Sequence, residues 1–251
     1  MSPFDLRGHT SIVTGGNRGI GLGLASGLVG AGAEVVIWGR DADRNHAAVA
    51  RLGGPGAVTA VACDVSSEDD VGAALEATLQ RHGKVDSLFV NAGTTGAVTF
   101  PDLGLDEWRR VMAVNLDGAF LTARAVADIM MVRGRGSIVF TASVASRLGM
   151  PYNPHYAATK GGVRQLARSL AVRLARFGIR VNILSPGFVE TELTEDLKSE
   201  ERFDRAVATR TPMGRWGRPD DFGGAAVFLA GDASPYMTGA EMVIDGGFTI
   251  F

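Results

Sequence analysis

The chain has 251 residues, 46% of them hydrophobic, and 27 acids against 25 lysines and arginines give a formal charge of -2, the makeup of one globular domain with a sizeable core. That balance leaves no footprint for nucleic acid or an anionic membrane, since the only basic run is the short turn holding Arg133 and Arg135. The single cysteine, Cys63, excludes an internal disulfide and a cysteine-based metal cluster and reads as a small buried hydrophobe. Residues 1–9 lack a charged-then-apolar leader pattern and no apolar stretch reaches membrane-spanning length, so a cytoplasmic soluble protein without a metal is expected.

Short β-branched runs alternate with helix-period stretches, which predicts a doubly wound α/β domain over 1–251 with a seven-stranded parallel sheet. The strands are expected at 11–14, 34–38, 58–63, 87–90, 137–141, 180–184 and 242–244. Directly after the first comes Thr14-Gly15-Gly16-Asn17-Arg18-Gly19-Ile20-Gly21, a glycine-rich turn opening into a helix. Glycines let a pyrophosphate approach the backbone, and the helix N-terminus offers it unpaired N–H groups, so the turn predicts a dinucleotide site.

The end of the second strand decides which dinucleotide is preferred. Sites for NAD place an acid there to bind the adenosine ribose, whereas an arginine accepts the extra phosphate of NADP. Here Gly39 stands at the acid's position, Arg40 follows it and Arg18 adds a second cation, so NADP is favoured over NAD. Asp41 is the counter-indication, because it could pair with Arg40 or turn toward the ribose. Further along, Ser66 and Ser67 before Glu68, Asp69 and Asp70 read as an N-cap with first-turn acids, opening a helix toward His82.

The clearest helical stripe lies in 157–176, where Val163, Leu166, Ala167, Leu170 and Leu174 share one face and Arg164, Arg168 and Arg173 lie off it. Tyr156 and Lys160 fall at its start, one turn apart. An ammonium ~4 to 5 Å from a phenol would lower its pKa by on the order of two units, which makes the pair a candidate proton-transfer device. Taken alone, the spacing is better read as a packed tyrosine and a snorkelling lysine. Past the sixth strand, residues 190–211 are densely charged and helix-prone at a strand end where open α/β sheets bind ligands, so a mobile lid is expected there.

Thr14-Gly-x-x-x-Gly19-x-Gly21, Asn91-Ala92-Gly93, Asn115, Ser143, Tyr156-x-x-x-Lys160 and Pro186-Gly187 follow one another in the order and spacing of the short-chain dehydrogenase/reductase family, and Thr238-Gly239 and Asp245-Gly246-Gly247 extend the likeness over essentially the whole chain. The sequence resembles that family, which implies a three-layer Rossmann fold and hydride transfer between a nicotinamide cofactor and a secondary alcohol or ketone. By resemblance, Ser143 binds the substrate oxygen, Tyr156 moves the proton, Lys160 holds the nicotinamide ribose and lowers the tyrosine's pKa, and Asn115 holds a relay water. The cofactor would also meet Gly15, Asn17, Arg18, Gly19, Ile20, Gly21 and Arg40, then Asp64 and Val65 at the adenine, Asn91, Ala92 and Gly93, and finally Pro186, Gly187, Val189 and Thr191 beside the nicotinamide. The family often has a second asparagine where this chain has Val90, which puts one strand-end hydrogen bond in doubt.

Candidates for the substrate pocket are Ala145, Arg147, Tyr152, Asn153, His155, Phe188, Met213 and Trp216. Their mix of aromatic and hydrogen-bonding groups suits a small molecule such as a sugar, a polyol or a small ketone. His155 itself lies about 100° around the helix from Tyr156 and is expected to face outward. A 3-oxoacyl-carrier-protein reductase is the alternative enzyme, with Arg133 and Arg135 as docking cations. A non-catalytic dinucleotide sensor is the alternative from another class, although such a protein should lack Ser143, Tyr156 or Lys160. The resemblance further implies a homotetramer paired through residues 118–133 and 157–176, and the apolar end Phe248, Thr249, Ile250 and Phe251 suits a subunit contact.

Overall fold

Apolar side chains alternate along each inner strand, and both sets need cover. In β1 (Thr10–Thr14) Ile12 packs on one side and Val13 on the other; in β2 (Glu34–Gly39) Val36 and Trp38 oppose Val35 and Ile37. A sheet buried on both faces requires helical crossovers, and the computed structural model, which describes residues 2–54 and 56–251, shows them. After β1 and β2 come β3 (Val58–Ala62), β4 (Ser87–Val90), β5 (Gly136–Thr141), β6 (Ile179–Pro186) and β7 (Glu241–Ile244). They form one parallel sheet of order β3-β2-β1-β4-β5-β6-β7. The expected strands are all present, with ends displaced by a residue or two.

One face is covered by α1 (Gly19–Gly30), α2 (Ala42–Arg51) and α9 (Gly223–Ala230). The other is covered by α3 (Glu68–His82), α5 (Gly118–Arg133) and α6 (Pro154–Leu174). α1 and α9 touch backbone to backbone, because a Cβ on Gly27 would overlap the main chain of Gly223. Ser67 caps α3 by accepting from the Asp70 amide at 3.2 Å, as its sequence position suggests.

Three local features position the cleft. The chain leaves β1 toward β2 and β3, then returns to β4 on β1's other side, which opens a crevice at the strands' C-terminal ends. Between α4 (Leu105–Met112) and α5, residues Ala113–Asp117 form a π-helical turn that contains Asn115. α6 begins at Pro154, earlier than the apolar stripe suggests, since proline is suited to a helix's first turn; Tyr156 therefore sits in that turn.

Residues 190–211 are folded rather than loose. They contain α7 (Glu195–Ser199) and α8 (Glu201–Arg210), and Phe203 of α8 meets the Phe188 ring edge-on at 5.6 Å. Among the described residues no helix is long and apolar enough to cross a membrane.

Candidate active site

The strand ends enclose a cleft of about 390 Å³. Its first wall is the glycine-rich turn, in which Gly15 (φ 63°) and Gly19 (φ 50°) hold left-handed conformations that side chains disfavour. The Thr14 hydroxyl ties this turn to β4, accepting from the amides of Asn91 at 2.9 Å and Ala92 at 3.0 Å, while Asn91 Nδ2 donates to Thr14 O at 3.1 Å. Val90 is buried in the core, and the Thr14–Asn91 pair secures the strand end in its neighbourhood.

Every residue expected at a cofactor lines this one cleft. Gly15, Asn17, Arg18, Gly19, Ile20 and Gly21 come from the turn, Arg40 from beyond β2, Asp64 and Val65 from beyond β3, and Asn91, Ala92 and Gly93 from beyond β4. Tyr156 and Lys160 project from α6, and Pro186, Gly187, Val189 and Thr191 end β6 and follow it. Sequence reasoning missed Arg44, Thr141 and Glu192, which also line it. Arg44 carried a faint signal as a cation one helical turn beyond Arg40, whereas Glu192 reaches the site only through the fold.

Ser143 lies two residues past β5, where its Oγ accepts from the Ala145 amide at 3.1 Å and so caps a short turn. Lys160 is buried, and its Nζ donates to the Thr141 carbonyl at 2.8 Å and lies 5.6 Å from the Tyr156 ring centroid. Asn115 does not line the cleft but sits behind it. Its Nδ2 donates to Thr94 O at 2.9 Å and Thr159 Oγ1 at 3.1 Å, and its Oδ1 accepts from the Thr94 amide at 2.8 Å.

The electrostatics differ from the expectation in one respect. Burial pushes the Tyr156 phenol above its ordinary value, with a hydrogen bond to Ser143 opposing. The ammonium lies over the ring at a distance, and its own pKa is pulled down to about 8 by burial.

Several further expectations need correcting. His155 does not face outward: it is fully buried, its Nε2 3.5 Å from Glu107, because the loop after β4 closes over the start of α6. Arg147 is turned away from the cleft to a side-chain-buried Glu241, which it grips at 3.0 and 2.7 Å. Arg164 joins at 2.6 Å and Ser185 at 2.8 Å, and despite burial these partners hold the Glu241 carboxyl down at about 2. Asp41 pairs with Arg44 rather than Arg40 and caps α2. Arg133 is tied inward to Val85 O at 2.7 Å and Asp86 at 2.9 Å, which leaves it poorly placed to dock a carrier protein.

The other proposed pocket residues scatter. Ala145 and Trp216 are buried, Tyr152 and Met213 are exposed, Asn153 Nδ2 reaches Thr95 Oγ1 at 3.5 Å, and Phe188 joins an aromatic cluster with Phe203, Trp216 and Phe248. None of the eight lines the cleft.

The cleft suits a dinucleotide, and one feature bears on which. Asn17 Nδ2 donates to Asn45 Oδ1 at 2.7 Å and Asn45 Nδ2 to Gly39 O at 2.8 Å, across the bare face of Gly39. A Cβ there would lie 2.5 Å from Asn17 and 2.6 Å from Asn45, so the end of β2 cannot carry an acidic side chain without dismantling that pair. Arg18, Arg40 and Arg44 border the same corner. At the opposite end, the buried ammonium of Lys160 spends one donor on Thr141 and keeps others for the hydroxyls of a ribose.

A family profile described as "Enoyl-(Acyl carrier protein) reductase" matches residues 15–249. Gluconate 5-dehydrogenase of Gluconobacter oxydans is 39% identical over 98% of this chain and 97% of its own. The NADP-dependent (R)-specific alcohol dehydrogenase of Lentilactobacillus kefiri is 38% identical over 97% of this chain and 98% of its own. A crystal structure of a gluconate 5-dehydrogenase from Burkholderia cenocepacia in complex with NADP and tartrate superposes with a TM-score of 0.95 at 41% identity, covering 99% of this chain and 98% of that one. With the dinucleotide cleft and the Ser143, Tyr156 and Lys160 constellation in place, the chain belongs to the short-chain dehydrogenase/reductase family of NAD(P)-dependent oxidoreductases.

Proposed function

We propose that the protein interconverts a secondary alcohol and a ketone on a hydroxylated small molecule, a sugar acid or polyol, with NADP as its cofactor. The observation that carries this reading is the single cleft with an ammonium and a phenol at one end and three guanidiniums around a glycine-bared strand end at the other. The gluconate-oxidising relatives support the substrate class, and the NADP-dependent relative and the NADP-bound neighbour support the cofactor.

NADP bound in the cleft supplies the carbon that accepts or donates hydride. Tyr156 takes the substrate's hydroxyl proton as the carbinol C–H bond breaks, and returns that proton to the oxygen in the opposite direction. Ser143 donates to the same oxygen and holds it against Tyr156. Lys160 sets the field that stabilises the phenolate which accepts that proton in oxidation and is left behind in reduction, at a site where burial otherwise holds the phenol protonated. Asn115 keeps one Oδ1 lone pair beyond its Thr94 bond, the acceptor that a relay water needs. Residues 190–211 act as a lid, a role supported by their position beside the cleft and their aromatic seat on Phe188. The 3-oxoacyl-carrier-protein reading finds less support, given the inward pairing of Arg133.

Assembly as a homotetramer in the cytoplasm belongs to the same proposal. It is supported by the free thiol of Cys63 and by exposed apolar side chains at Phe120 and Val132 of α5, Val172 of α6, and Ile250 and Phe251. Light scattering of the purified protein should read a tetramer; a monomer would contradict that part.

Assayed on gluconate, its 5-keto form, polyols, cyclic alcohols and β-ketoacyl thioesters with each cofactor, the protein should turn over a hydroxylated substrate fastest with NADP(H). Tyr156→Phe should lower kcat by at least about a hundredfold while NADPH binding stays within a few-fold. A Tyr156→Phe enzyme that keeps a tenth of its turnover would end the assignment.

Lys160 also makes stability depend on pH. Its folded pKa of about 8 lies below the ordinary 10.5. Below pH 8 both folded and unfolded chains hold the proton and the burial cost is fully present; from pH 8 to 10.5 the folded chain has released it and the cost fades. Lys160→Met, which removes that cost, should therefore be more stable than wild type at pH 7 by roughly 1–3 kcal/mol, less the lost Thr141 bond. The gap should close toward pH 10.5 in urea titrations. A variant less stable than wild type at pH 7 would refute the cost assigned to this ammonium.

A further inference from the structure

Arg18 at the start of α1, Arg40 after β2 and Arg44 in the first turn of α2 converge on the corner that Gly39 leaves open. Three carboxylates already face them. Asp41 meets Arg44 Nε at 3.2 Å, Asp64 meets Arg40 at 3.5 Å, and Glu192 Oε2 accepts from Arg18 Nη1 and Arg44 Nη1, each at 2.8 Å.

Two of these acids have second duties. Asp41 caps α2 through the Arg44 amide at 3.0 Å, and Asp64 holds the turn after β3 by accepting from Ser66 N at 3.0 Å and Ser66 Oγ at 2.7 Å. Glu192 has none: among the described residues its carboxylate bonds only Arg18 and Arg44. It stands at the start of the three-residue turn Glu192–Thr194, half exposed, and those two guanidiniums hold its carboxyl below the ordinary range, the Arg18 hydrogen bond foremost.

Three cations against three anions leave the corner with no net charge. A phosphate monoester carries close to two negative charges near neutrality, so it meets no net attraction there until one carboxylate withdraws. Only Glu192 can withdraw without undoing a helix cap or a strand-end turn.

We propose that Glu192 is an internal competitor of the NADP 2′-phosphate for Arg18 and Arg44, and that its displacement sets how far the protein prefers NADP to NAD. The inference rests on the NADP reading above. NAD has a hydroxyl at that position and gains nothing by displacing Glu192, so the competition acts on one cofactor only. Because the carboxylate is tethered beside the arginines, even a half-exposed pair competes at high effective concentration.

The test is a set of dissociation constants for NADPH, NADH, adenosine 2′,5′-bisphosphate and AMP, the last two probing the corner without the nicotinamide end. Glu192→Gln should bind NADPH and the bisphosphate about threefold to tenfold more tightly, and NADH and AMP within about twofold of wild type. Equal changes for all four ligands, or weaker NADPH binding, would overturn the inference. If the glutamine variant fails to fold by thermal unfolding, Glu192→Asp, too short to span both arginines, should show the same selective tightening.

Wild type and Arg44→Ala separate the two layers. A wild type that binds NADPH no better than NADH, with Arg44→Ala without effect, defeats the NADP reading itself. A wild type that prefers NADPH and loses the preference in Arg44→Ala, yet is unmoved by Glu192→Gln, defeats only the role of Glu192.

Discussion

The site depends on a buried ammonium that has one fixed acceptor among the described residues. Lys160 Nζ is held by the carbonyl of Thr141, the last residue of β5, on a helix whose inner face is packed into the core by Val163, Ala167 and Ala171. Burying a cation with a single acceptor is unfavourable, and its depressed pKa of about 8 reports that cost. The arrangement persists because sheet and helix over-determine it, and the cost is the ordinary exchange of stability for function. Tyr156 on the same helix and Ser143 just past the same strand inherit their positions from this join.

The cleft divides its chemistry between its ends. At the α6 end, burial raises the Tyr156 phenol above its ordinary value and lowers the Lys160 ammonium to about 8, which draws both toward their neutral forms. At the α2 end, arginines and carboxylates are balanced one for one around a glycine whose bare face the Asn17–Asn45 pair crosses. The parallel order β3-β2-β1-β4-β5-β6-β7 sets the two ends on either side of the β1–β4 crossing, which the Thr14–Asn91 pair pins shut.

What could be read from the sequence was local or carried by motif. Strands announced themselves by β-branched runs, and the residues assigned to a cofactor by resemblance all border one cleft, because each lies at a strand end or the helix start after it. What could not be read was long-range. The burial of His155 depends on a loop and a helix some fifty residues earlier in the chain, Arg147 is claimed by Glu241 from the last strand, and Glu192 reaches Arg18 across a sequence separation of 174 residues. The phenol's raised pKa also escaped a helix-spacing argument: spacing places an ammonium near a ring but says nothing about how much water the fold removes from both. The residues expected at a substrate pocket scattered because the segments that carry them bury, pair or expose each one by contacts from elsewhere in the chain.

The most direct measurement follows the hydride itself. NADPH deuterated at nicotinamide C4 would be incubated with the protein and the 5-keto form of gluconate, or with whichever ketone it reduces fastest, and the product examined by NMR. The account predicts deuterium from one face of the nicotinamide bonded to the new carbinol carbon, with the hydroxyl proton drawn from solvent. Product carrying only solvent hydrogen at that carbon, or no product from any carbonyl despite tight NADPH binding, would contradict it.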